Sequence, residues 1–284
     1  MSRNNLDRIG AGVQPAEPPP SSISQTNSSL SFVTPTEFVD LPSRGQYYPD
    51  GHPLHNQETV EIKIMTAKEE DILADQNLMK KGLTIDRLLR NVIVNRSINP
   101  DDLLIGDKNA ILVATRIGGY GPEYDTKVIC PVCYAHGKHE FDLSEVKINF
   151  QENLEEVGVR PSGDGTFFVT TPRTNVEVEL RLLNGRDEKT LLDNEERRKK
   201  QNLPAQALTD QLRIIIKSVG GQEDRQIVNQ FVESLPASDS RHLRTVYQKC
   251  TPGVEMKEHY ECSECGANSE IDVPFTTDFF WRNS

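Results

Sequence analysis

Two short segments far apart in the chain repeat one pattern, and that pattern limits the fold more than any other feature. The first runs Tyr124-Asp-Thr-Lys-Val-Ile129, then Cys130-Pro-Val-Cys133, then His139-Glu140-Phe141-Asp142-Leu143. The second runs Glu258-His-Tyr-Glu261, then Cys262-Ser-Glu-Cys265, then Ser269-Glu270-Ile271-Asp272-Val273. Each reads as a strand, a C-x-x-C, a short polar loop and a strand of Glu-apolar-Asp-apolar, with two more residues in the first copy's loop. A C-x-x-C offers two thiolates from one tight knuckle, and two knuckles supply tetrahedral ligation of zinc at about 2.3 Å. Cys130, Cys133, Cys262 and Cys265 are therefore predicted to hold one structural Zn2+.

The spacing is wide: 128 residues lie between Cys133 and Cys262, where a compact ribbon has about 15–20. The matched hairpins offset that weakness and suggest what the metal is for. It would staple the two ends of a long insertion to the preceding domain. Four thiolates leave no open position, so the ion is not expected to activate water. An iron–sulfur cluster, a dithiol redox pair, no metal at all, or His136 or His139 standing in for a cysteine are the competing readings. Cys250 fits best as a buried small hydrophobe.

Charge narrows the function. The 284 residues carry a formal net charge of −11, whereas a duplex-binding protein needs a dense positive surface. No stretch approaches the roughly 18–20 uninterrupted apolar residues of a membrane span, and the first residues lack a signal-peptide core. Synthesis in a reducing compartment is expected, where paired cysteines favour metal over disulfide.

The expected fold class is α+β: a small helix-rich domain plus an inserted β-hairpin and helical domain, joined by a split four-cysteine zinc ribbon made of two β-hairpins. Residues 1–30 are rich in Ser, Asn, Pro and Gly and read as a disordered or partner-bound tail. Residues 31–57 alternate apolar side chains (Phe32, Phe38, Val39, Leu41, Tyr47, Tyr48) with prolines and read as an extended arm. It is expected to lie on its own domain or to reach a neighbouring subunit. The helix-rich domain covers 58–123: a strand at Glu58–Met65, then a helix capped by Thr66 with Glu69 completing the capping box and stopping at Gly82. Further helices are expected from Thr84 to about Val94, from Asn99-Pro100, and from Asp107 to Ile117, ending at Gly118-Gly119. The first hairpin spans 124–146. The insertion, 147–253, opens on a hairpin (Thr166–Thr171, Val176–Leu183), followed by helices at about 186–202, 205–219, 224–235 and 238–249. The second hairpin and an aromatic terminus occupy 254–284.

No catalytic set emerges. Gly118-Gly119-Tyr120-Gly121 follows a helix and lacks the Lys-Ser/Thr of a phosphate loop, so it reads as a turn. Asp101-Asp102 and Glu69-Glu70-Asp71 sit in first helical turns, where capping explains them. Arg197-Arg198-Lys199-Lys200 follows Glu195-Glu196 and reads as a solvated face with i,i+4 pairs; it is also the best candidate for an anionic partner.

Several segments together resemble a baseplate protein family of T-even-like contractile-tailed phages. They are Phe38-Val-Asp-Leu-Pro-Ser-Arg-Gly-Gln-Tyr-Tyr-Pro49, Met65-Thr-Ala-Lys-Glu-Glu-Asp71, Ile98-Asn-Pro-Asp-Asp-Leu-Leu104 and Gly106-Asp-Lys-Asn-Ala110. The two C-x-x-C hairpins and Val273-Pro-Phe-Thr-Thr-Asp-Phe-Phe-Trp281 complete the set. The resemblance runs from about residue 32 to the end. It implies a non-enzymatic component of the baseplate hub region, or an assembly chaperone for it that is absent from the virion. Its partners would be other baseplate and tail proteins or copies of itself, with no nucleic acid, membrane or small-molecule substrate. The location would be the virion tail, after synthesis in the host cytoplasm. The arm and Phe279-Phe280-Trp281 would serve as anchors on neighbours; the other reading of the terminus is that it packs onto its own ribbon. A zinc-ribbon nucleic-acid-binding regulator is the reading from another class. It predicts basic and aromatic hairpins, whereas these carry Glu140, Asp142, Glu145, Glu261, Glu264, Glu270 and Asp272.

Overall fold

The first described strand pairs with the second. β1 (Thr36–Asp40) pairs antiparallel with β2 (Thr59–Lys63), Val39 opposite Val60. We describe a computed structural model covering residues 34–150, 154, 158–163, 165–274 and 277–280. The tail of residues 1–30, Phe32 and Trp281 lie outside the described residues. The described residues belong to one compact unit, and mixed helix and sheet make it α+β.

Residues 42–56 are a succession of turns rather than an extended run. The reason is a buried carboxylate. Asp107 accepts from the Ser43 amide (2.9 Å), the Ser43 hydroxyl (2.5 Å) and the Tyr48 hydroxyl (2.8 Å). The Tyr48 oxygen in turn accepts from the Leu104 amide. Leu41, Tyr48 and Leu54 are buried on the chain's own core, while Phe38 is 71% exposed. The arm therefore folds back, with Phe38 left facing solvent.

The capping box of Thr66 and Glu69 starts α1 (Ala67–Ala74). The expected single helix to Gly82 is two: Asp75 interrupts it because its carboxylate accepts from the Asn77 and Leu78 amides and starts α2 (Gln76–Lys80). α3 (Thr84–Val92) buries Leu88, Leu89 and Val92. Asn99 caps a short 3-10 turn, Pro100–Asp102. α4 (Ile105–Tyr120) runs past Gly118-Gly119, which are helical, and stops at Gly121 with φ +86°. Close approach explains the glycines: a β-carbon would meet a Glu37 carboxylate oxygen at 3.0 Å from position 118 and Met65 Cε at 2.6 Å from position 119.

Two antiparallel hairpins carry the cysteines: β3 (Glu123–Ile129) with β4 (His136–Asp142), and β11 (Lys257–Glu261) with β12 (Asn268–Asp272). Between them runs a four-stranded antiparallel sheet, ordered β6 (Val159–Pro161), β7 (Thr166–Thr170), β8 (Glu177–Arg181), β9 (Ile216–Val219). Its companions are α5 (Gly185–Lys200), α6 (Ala207–Ile215), α7 (Arg225–Ser234) and α8 (Ala237–Cys250). The helix expected over 205–219 gives way to strand at Ile216. β-branched residues favour the pleated surface, and β8 has an edge to fill, with Val178 opposite Val219.

One pairing was not foreseen. β5 (Lys147–Asn149) pairs antiparallel with β10 (Gly253–Glu255), Ile148 opposite Val254. Backbone hydrogen bonds thus join the two ends of the intervening segment without any metal. The segment is also tied down at Ile105 N–H to Leu183 O (3.1 Å) and Gly185 N–H to Leu103 O (3.0 Å).

Arg116, buried in α4, closes the far end. Its guanidinium donates to the carbonyls of Phe279 (2.9 Å), Gly121 (2.8 Å) and Glu123 (2.9 Å). Phe279 packs edge-on against Tyr124 at 5.2 Å, and Phe279 and Phe280 are both buried. Of the two readings of the terminus, these two aromatics follow the second: they are buried on the chain's own core.

Candidate metal centre

β3, β4, β11 and β12 each alternate a solvent face with an inner face. The inner faces carry Tyr124, Val128, Gly137, His139 and Phe141 in the first hairpin, and Glu258, Tyr260 and Ile271 in the second. They pack on one another, with the His139 and Tyr260 rings 5.4 Å apart. This packing brings the two knuckles together.

The two knuckles have the same backbone. Cys130 N–H donates to Ala135 O and Tyr134 N–H to Cys130 O; in the second, Cys262 N–H donates to Ala267 O and Gly266 N–H to Cys262 O. The residue after the second cysteine must turn left-handed, and Tyr134 (φ 61°) and Gly266 (φ 68°) do so. Ile129 pairs with His136, and Glu261 with Asn268, so a constant offset of 132 relates the copies through both strands. The first copy's two additional residues accordingly lie in longer strands and not, as the sequence suggested, in its loop.

All four sulfurs lie within 4.8 Å of one another. Cys130 Sγ is 3.8 Å from Cys265 Sγ, and Cys133 Sγ is 3.7 Å from Cys262 Sγ. These two distances are the same contact seen from either copy. A tetrahedron with metal–sulfur bonds of about 2.3 Å has edges of about 3.8 Å, so the donors fit a four-coordinate ion. The first cysteine of each knuckle is buried and the second exposed.

Backbone amides favour the thiolates. Cys262 is lowered to about 6 by the N–H groups of Cys265 and Glu264. Cys130 is lowered by those of Cys133 and Val132, the latter 3.4 Å away. Cys133 receives the Ala135 amide, yet a proton shared with Cys265, burial and the other thiols push it up to about 12. Burial and a hydrogen bond to the Cys262 side chain raise the Tyr260 phenol, which keeps it a donor toward that sulfur.

Histidine does not join the set. His139 Nε2 faces Glu258 Oε2 at 3.4 Å across the hairpin interface, and His136 is exposed on the outer face. Cys250 lies buried at the end of α8, where burial pushes its thiol up to about 11. The acid pairs are occupied elsewhere: Asp101 and Asp102 bind Lys189 and Arg186 on α5 (2.6 and 2.5 Å), and Tyr120 donates to Glu70. In the basic run, Lys200 pairs with Glu196 and Arg198 with Asp210. Tyr260, Gly137 and the His139–Glu258 pair escaped sequence reasoning. Aligning the copies at an offset of 132 rather than on their Glu-apolar-Asp strands would have set them at the hairpin interface.

A sequence model of the family described as "T4 bacteriophage base plate protein" matches residues 35–281. Neither a curated protein nor a solved structure matches the chain. Among the described residues, no helix is long and apolar enough to cross a membrane.

Proposed function

The chain belongs to the T4 bacteriophage base plate protein family, and from that premise we propose that it is a structural component of the baseplate hub region, clasped by one zinc ion on Cys130, Cys133, Cys262 and Cys265. The sulfur tetrad carries this reading. Its cross-knuckle distances match a tetrahedral ion, its amides stabilise thiolate, and four protein ligands leave no position for a substrate or a reactive water. A closed site of this kind rigidifies; binding of a structural zinc can contribute on the order of 10 kcal/mol to folding.

On this reading the two hairpins form a split ribbon, and residues 147–253 form the insertion whose ends it gathers. The outward Phe38 on β1 is the arm's contribution to a neighbour. The outer hairpin faces, with exposed Glu140, Asp142, Glu261, Glu264, Glu270 and Asp272, suit protein contacts and repel nucleic acid.

Elemental analysis of the purified chain should find one zinc per molecule, absent after Cys262→Ser. Mass spectrometry of purified virions should find the chain among baseplate proteins. Absence from mature particles would replace the structural role by that of an assembly factor. A fully folded, metal-free wild type would sink the clasp.

A further inference from the structure

α5 is a long helix with almost nothing to bury: of its sixteen residues only Gly185 is inaccessible. With α6 it makes a helical hairpin that leaves Leu192, Leu203 and Leu208 exposed at 57%, 49% and 54%. An open groove of about 440 Å³ runs between the two helices, lined by Leu191, Leu192, Leu203 and Ala207 together with the charged Glu195, Arg198, Lys199 and Asp210. Beside it, sharing Gln211, lies a second cavity of about 280 Å³ between α6 and α8, lined by Leu208, Arg241, Arg244 and Gln248.

No carboxylate lines that second cavity, although the chain has 43 acidic residues against 32 basic ones. Arg244 Nε is buried and makes no hydrogen bond among the described residues. Arg241 sits one turn earlier on α8 and has no acidic partner there either. Leaving a guanidinium N–H buried and unpaired is unfavourable. A water could take the bond but would not neutralise two adjacent cations. The arginine fork suits a carboxylate, and an adjoining leucine groove suits an apolar side chain on the same segment.

We propose that this face docks an acidic amphipathic segment of a neighbouring protein, its apolar side chains in the α5–α6 groove and a carboxylate on Arg241 and Arg244. The inference rests on the reading that this chain works by binding tail proteins, and it is independent of the metal.

The test uses the full zinc-loaded chain and a synthetic amphipathic peptide of leucine and glutamate at helical spacing, with a lysine-for-glutamate peptide as control. Calorimetry should show the acidic peptide binding and the basic one not. Arg241→Gln, Arg244→Gln and Leu208→Glu should each weaken binding by about tenfold or more. Arg241 and Leu208 are exposed, so those two variants keep the fold if Arg244→Gln does not. Binding that ignores the peptide's charge or the three substitutions overturns the proposal, as does no binding at all. Full competition by inorganic phosphate alone would make the cavity a small-anion site instead. Concentration-dependent dimerisation lost in Leu208→Glu would assign the face to a second copy of the chain. A zinc content of one per chain beside failed binding would leave the clasp standing and remove only this surface.

Discussion

The hydroxyl of Tyr260 fills the space a side chain at position 137 would need: a β-carbon on Gly137 would lie 2.6 Å from it. The two residues belong to different hairpins, and Tyr260 is also the ring whose phenol bonds Cys262. The absence of one side chain therefore seats a hydrogen-bond donor beside the proposed metal ligands.

Tyr260→Phe should keep the fold and lose that donor. Groups that orient metal ligands typically contribute about 10–100-fold to affinity, so zinc should transfer to a competing chelator at lower concentration. Gly137→Ala should act the same way by displacing the ring. Unchanged zinc competition in both variants would show that the phenol only fills space.

The knuckles share a left-handed position filled differently, by Tyr134 and Gly266. That conformation costs a residue with a β-carbon about 1–2 kcal/mol. Gly266→Ala should destabilise the zinc-loaded protein by about 1 kcal/mol in urea unfolding. Tyr134→Gly relieves the same strain but loses about 0.5–1 kcal/mol to glycine's freer unfolded chain, so it should be neutral to stabilising by about 1 kcal/mol. Nothing lies within 4 Å of a β-carbon at 266, so no steric clash adds to the backbone effect there.

Chelation, or Cys262→Ser, should loosen the hairpins without releasing the rest of the fold. β5–β10 pairing and the Arg116–Phe279 bond hold the same ends together. Hydrogen exchange should show lost protection in β3, β4, β11 and β12 and retained protection in β7, β8 and β9. Simultaneous loss throughout would mean that zinc is required by the whole unit.

Asp107 accepts three hydrogen bonds while fully buried. Asp107→Asn turns one acceptor atom into a donor facing donors. An unsatisfied buried group costs about 1–3 kcal/mol, so thermal stability should fall accordingly, and the 42–56 turns should be the first segment cut in limited proteolysis.

Asp239 supplies the pH dependence. Despite burial, its carboxyl is held below the usual range by the Thr174 hydroxyl and the Thr174 and Arg173 amides. A depressed folded value means the unfolded chain binds the proton first as pH falls. The stabilisation is therefore complete above the unfolded carboxylate range near 4 and drains away below it. Asp239→Asn should melt below wild type at neutral pH, and the gap should close as pH drops through 4 toward 3. A gap independent of pH would mean that Asp239 contributes by packing.

Local signals in the sequence reached as far as local causes. Thr66 with Glu69, Asn99 before Pro100, and the strands flanking the cysteines each stabilise their own few residues, so they were legible. Asp75 was local as well and was missed, because its neighbours' apolar spacing continued through it. Gly118-Gly119 read as a stop; what leaves no room for side chains there are Glu37 and Met65, distant in sequence. Ile216–Val219 read as helix until β8 offered an edge.

The same division runs through the metal centre. By itself the sequence located the four candidate donors and their pairing into two knuckles, because C-x-x-C geometry is fixed within four residues. Only the tertiary structure decided which sulfurs approach across the knuckles, that Tyr260 stands beside Cys262, that His139 faces Glu258, and that β5 and β10 close the same gap without metal. Apart from Tyr260 and Cys262, which share one strand end, those contacts join residues more than a hundred positions apart, and their energy comes from two surfaces burying each other, which no single segment records.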